Sequence, residues 1–136
     1  RFADLVTAMD TDTKSVQKII ETVFNYWVSP ECDIDGIQSW AEYSGGVVSA
    51  FEGAMVSAQS GTDTAIFTSG GTIATIVGHV LRLTSDRVYE FYEPVFNCSI
   101  TRIIFNSRKC SLSTFNDVGH LHLMSAQLRE RLVTYR

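Results

Sequence analysis

The densest concentration of groups able to do chemistry is Ser69-Gly70-Gly71-Thr72, which follows five uncharged residues, Thr64-Ala65-Ile66-Phe67-Thr68. Two adjacent glycines let a backbone turn sharply and leave room for a ligand against it. A helix starting there presents free N–H groups and the positive end of its dipole, a setting that favours an anion such as phosphate. The Ser69 and Thr72 hydroxyls can hydrogen-bond phosphate oxygens. The phosphate-binding candidates are therefore Ser69, Gly70, Gly71 and Thr72; the alternative is an ordinary glycine-rich strand-to-helix turn. The spacing is neither a Walker loop nor Gly-x-Gly-x-x-Gly, so ATP and NAD have no support. A leucine at Gly71 is expected to block anion binding without unfolding the domain.

Ser69 is also the catalytic candidate, as a nucleophile at a strand-to-helix turn. Phe67 stands where a Gly-x-Ser-x-Gly elbow has its first glycine. Asp86 or Asp117 and then His120 follow in the order used by α/β-hydrolases, at separations shorter than that fold normally needs. His79 is expected on the solvent side of its helix. His120 and His122 are two apart, which puts them on one side of an extended segment. No third ligand stands at suitable spacing, so no metal site is expected. Cys32, Cys98 and Cys110 are widely spaced and odd in number, which points to free thiols in a reducing, cytoplasmic compartment.

The elements that must position these groups follow from periodicity. Val16, Ile19, Ile20, Val23, Phe24 and Trp27 have helical spacing, with Asp12 or Thr13 as the cap and Pro30 as the stop. Phe2, Leu5, Val6 and Met9 suggest a short amphipathic turn before it. Asp35 and Gln38 read as a capping box for a second helix, whose apolar stripe runs from Ile37 to Ala58. Gly45 and Gly46 fall mid-helix, as a weak point or a close-packing site. Residues 64–68 predict a central strand buried on both faces, ending in a cleft beside Ser69 and the Gly70 N–H. A helix with Ile73, Ile76, Val77, Val80 and Leu81 on one side follows, then a short aromatic helix (Val88, Tyr89, Phe91, Tyr92) stopping at Pro94. Residues 99–105 and 109–115 read as a hairpin around Asn106-Ser107-Arg108. A last amphipathic stretch spans Leu123 to Leu132. This order of helices and strands is α/β.

The chain has 136 residues, 45% hydrophobic, enough for one domain. Eleven basic against fifteen acidic residues give a net charge of −4, so no footprint for nucleic acid is present. No apolar run reaches the roughly 20 residues of a membrane span.

Four segments, in order, resemble the carboxy-terminal half of the histidine phosphatase superfamily, which includes the cofactor-dependent phosphoglycerate mutases. Trp40-Ala41-Glu42-Tyr43 followed by Val47 looks like a helix of that family. Ile66-Phe67-Thr68-Ser69-Gly70-Gly71-Thr72-Ile73 looks like its buried strand and His-Gly-Gly-like turn. Asn97-Cys98-Ser99-Ile100-Thr101-Arg102 looks like the strand that follows. Phe115-Asn116-Asp117-Val118-Gly119-His120-Leu121 is similar to its closing Asn-Asp-x-x-His-Leu. The resemblance implies a three-layer α/β/α phosphoglycerate mutase-like fold and phosphoryl transfer through a phosphohistidine. It also implies an Arg-His-Gly nucleophile motif, further arginines and a second histidine. Residues 1–65 contain no histidine, Ser69 stands at the second-histidine position, and Gly46 stands where many members carry arginine. These departures count against catalysis by this chain.

The expectation is a single histidine-phosphatase-like domain over residues 1–136, the carboxy-terminal part of a longer domain whose first strand precedes Arg1. It binds a phosphorylated small molecule or phosphoprotein at residues 69–72. Neither metal nor cofactor is needed, since arginines, helix N–H groups and histidine would neutralise the charge. Neither nucleic acid nor membrane is an expected partner; a homodimer is. Two rival readings are an inactive binding or oligomerisation module with an exposed aromatic surface around residues 89–92, and a serine hydrolase using Ser69.

Overall fold

The computed structural model describes residues 13–134. The expectations for Phe2, Leu5, Val6, Met9 and a cap at Asp12 lie outside the described residues. Helix α1 (Thr13–Val28) ends two residues before Pro30, whose ring disfavours helical backbone in the residue preceding it. Its inner face is only half covered: Phe24 and Trp27 are half-buried, while Ile20 and Val23 are exposed.

Helix α2 (Trp40–Ser57) starts later than Asp35 and Gln38 suggested. Ser39 is the cap: its hydroxyl accepts from the Glu42 N–H at 3.2 Å, and the Glu42 carboxylate accepts from the Ser39 N–H at 3.1 Å. The same Ser-x-x-Glu logic, one turn further on, wins because both orphan N–H groups are satisfied reciprocally. The hydrogen bonds from Ser39 hold the Glu42 carboxyl below its ordinary range.

Gly45 and Gly46 are exposed, and a Cβ built on either would find no atom within 4 Å. They are therefore not a close-packing site. Gly46→Ala should raise stability by about 0.5–1 kcal/mol through lower unfolded-chain entropy. Urea unfolding measures this, and a lower midpoint would show that a neighbour needs the space.

Helix α3 (Gly70–Leu81) holds the centre of the core, with Ala74 and Val77 both 0% exposed. It packs against α2, β2 and the short helix α4 (Tyr89–Tyr92). Gly78 permits the closest approach: a Cβ there would lie 3.0 Å from Val88 Cγ2. The helix ends at Arg82 in left-handed conformation, with the Leu83 N–H donating to the Gly78 carbonyl at 2.8 Å.

Strands β1 (Ile100–Phe105) and β2 (Cys110–Asp117) pair antiparallel, with Ile103 opposite Leu112. The Asn106 side chain accepts from the N–H groups of Arg108 and Lys109, which closes the turn where the sequence placed it. At the far end of β2, Asn116 adopts φ 57°. Its side chain accepts from the Phe96 N–H at 2.8 Å and donates to the Pro94 carbonyl at 2.6 Å, tying the strand to the segment after α4. A 3-10 turn (Gly119–Leu123) then buries Leu121, and helix α5 (Ala126–Leu132) starts at Ser125, which accepts from the Leu128 N–H. His120 and His122 are thus on a tight turn rather than an extended segment, and both are exposed.

The class is α/β, as expected, with a two-stranded sheet among the described residues. The expected central strand is different. Residues 62–69 follow an irregular path, every residue is exposed, and the Phe67 side chain is 97% exposed. An uncharged run is buried on both faces only where strands flank it and layers cover it. Among the described residues no backbone hydrogen bond is made by Asp63 to Thr68.

The aromatic residues of α4 also differ from the surface envisaged for them. Phe24 stands at the hub of a ring cluster, with centroid distances of 5.7 Å to Trp40, 5.3 Å to Tyr89 and 5.4 Å to Tyr92. Tyr89 is 5% exposed. The cluster glues α1, α2 and α4 together, with Tyr89 buried and Phe91 and Tyr92 half-buried.

Candidate functional site

Two layers build the turn at the start of α3. The inner layer is aromatic: Trp27 packs on Trp40 at 5.2 Å and on Tyr43 at 5.1 Å, fixing Tyr43 on the first turn of α2. Tyr43 and Tyr92 then press on Gly71. A Cβ at Gly71 would lie 3.3 Å from the Tyr43 hydroxyl and 3.7 Å from the Tyr92 ring. Glycine at 71 is therefore set by the protein's own aromatic rings. A leucine at 71 would press on both rings, so Gly71→Leu carries a stability cost beside the expected loss of anion binding.

The outer layer is a chain of hydroxyls. The Tyr43 hydroxyl lies 3.3 Å from Thr72 Oγ1, which lies 3.4 Å from Ser69 Oγ. Ser69 is the N-cap by position and has extended backbone, φ −85° and ψ 162°, but its side chain makes no capping hydrogen bond. Ser39 and Ser125, by contrast, each accept from a backbone N–H of the helix they start. The first N–H groups of an α-helix have no intrahelical partner, so those of α3 are left without the side-chain oxygen that the other two starts use. No acidic residue lies in the first turn to oppose an anion.

The sequence candidates Ser69, Gly70, Gly71 and Thr72 are thus contiguous at one helix start, with Ser69 exposed and the other three half-buried. The expected cleft lies elsewhere. A groove of about 140 Å³ runs between α2, α3, β1 and the 62–69 segment, lined by Phe51, Met55, Ile66, Thr68, Ile73 and Ile103 among others; it stops at Thr68. The sequence reading missed the part played by Tyr43 and Tyr92. Trp40 and Tyr43 are three apart, as helix neighbours must be, but nothing in that spacing names Gly71 as their neighbour.

The triad is not brought together: among the described residues no hydrogen bond joins Ser69 to His120, and Asp117 accepts from the Gly119 N–H at 2.7 Å instead. His79 is exposed and faces Glu52, with 3.4 Å between Nε2 and Oε1. Among the described residues no group of three or more His, Cys, Asp or Glu side chains is placed to hold a metal ion. Cys32, Cys98 and Cys110 form no disulfide. No helix among the described residues is long and apolar enough to cross a membrane.

A family model for the histidine phosphatase superfamily (branch 1) matches residues 8–118, most of the chain and all of the α2–α3–β1–β2 framework. The chain belongs to the histidine phosphatase superfamily. Comparison with curated proteins and with solved structures gives no match. In this histidine phosphatase domain the resemblance puts Ser69 where the family has its second histidine. A hydroxyl hydrogen-bonds but carries no positive charge. A Cβ built at Gly46 would find no atom within 4 Å.

Proposed function

We propose that this histidine phosphatase domain binds a phosphorylated small molecule or a phosphoprotein side chain at Ser69, Gly70, Gly71 and Thr72, without turning it over. The observation that carries the reading is the start of α3, where the Ser69 hydroxyl turns to Thr72 Oγ1 rather than to the helix N–H groups. Those N–H groups and the helix dipole would supply the positive potential, so binding needs no metal. The Ser69 and Thr72 hydroxyls would donate to phosphate oxygens. A cytoplasmic setting fits three unpaired cysteines.

Turnover through a phosphohistidine needs a nucleophilic histidine, and the three histidines of this chain are His79, His120 and His122. None is hydrogen-bonded to Ser69 or Thr72 among the described residues. The serine-hydrolase reading has no base beside Ser69 and falls behind. p-Nitrophenyl phosphate tests both halves of the proposal. It should raise the melting temperature relative to chloride at equal ionic strength, because a ligand selective for the folded state stabilises it, while releasing no nitrophenolate. Robust nitrophenolate release, or an unmoved melting temperature at about 10 mM, would overturn the proposal.

A further inference from the structure

We draw no further inference here: the strongest candidate, the groove between α2, α3, β1 and the 62–69 segment lined by Phe51, Met55, Ile66, Ile73 and Ile103, is an unpartnered apolar face, and nothing in the structure shows what covers it.

Discussion

Phe24→Ala should lower stability by about 3 kcal/mol, the lower end of the range for deleting a packed phenylalanine, because Phe24 is half-buried. Phe24 meets Trp27, Trp40, Tyr89 and Tyr92, and so joins α1 to α2 and α4. Its removal leaves a cavity that four large, mutually packed rings cannot all collapse into. Among the described residues the buried aliphatic side chains form a small set, Ala74, Val77, Val88, Val95 and Leu121, so the ring cluster carries a large share of the packing. Denaturant unfolding followed by tryptophan fluorescence measures the effect directly, since Trp27 and Trp40 lie in the cluster. A loss below about 1 kcal/mol would show that α1 is not held by these rings.

Gly71→Leu should cost at least about 2 kcal/mol, through overpacking rather than through a cavity. The new side chain would point at the Tyr43 hydroxyl and the Tyr92 ring. Both are pinned: Tyr43 by Trp27 and Trp40, Tyr92 by Phe24 and Tyr89. Gly71→Ala should be milder, because a Cβ at 3.3 Å from the hydroxyl needs a shift of only a few tenths of an ångström. Melting curves for the pair separate the two effects. Equal stability of Gly71→Leu and the parent would mean that the aromatic layer yields easily. Phe24→Ala and Gly71→Leu share Tyr92, so their effects should not add.

The parts of this fold that were legible in the sequence are those fixed by local chemistry. Pro30 stops α1, Asn106 closes the hairpin, and the stripe Ile73, Ile76, Val77 and Val80 marks α3, because each signal acts within a few residues. The start of α2 is ambiguous in the sequence because Asp35 with Gln38 and Ser39 with Glu42 offer the same four-residue spacing; Ser39 with Glu42, which bond each other's backbone N–H, decides. The 64–68 segment suggests a central strand because five uncharged residues look the same whether flanked by strands or lying open. Burial of such a run is a property of its neighbours, which the run does not encode. The roles of Tyr43 and Tyr92 depend on contacts 28 and 21 positions from Gly71, beyond the reach of any periodicity. The candidate site itself was legible as a string of residues, Ser69 to Thr72, while the hydroxyl chain that draws Ser69 away from capping was not.

The start of α3 is proposed to receive a phosphate group. Amide chemical shifts during a phosphate titration, with ionic strength held by chloride, test it most directly. The start of α2, where Ser39 and Glu42 already satisfy the backbone, provides the comparison within the same molecule. Saturable shifts are expected at residues 69–73 within about 10 mM phosphate and much smaller ones at residues 39–42, because at α2 the Ser39 and Glu42 N–H groups already have side-chain partners and the Glu42 carboxylate opposes an anion. Unmoved amides at 69–73, or equal shifts at both helix starts, would contradict it.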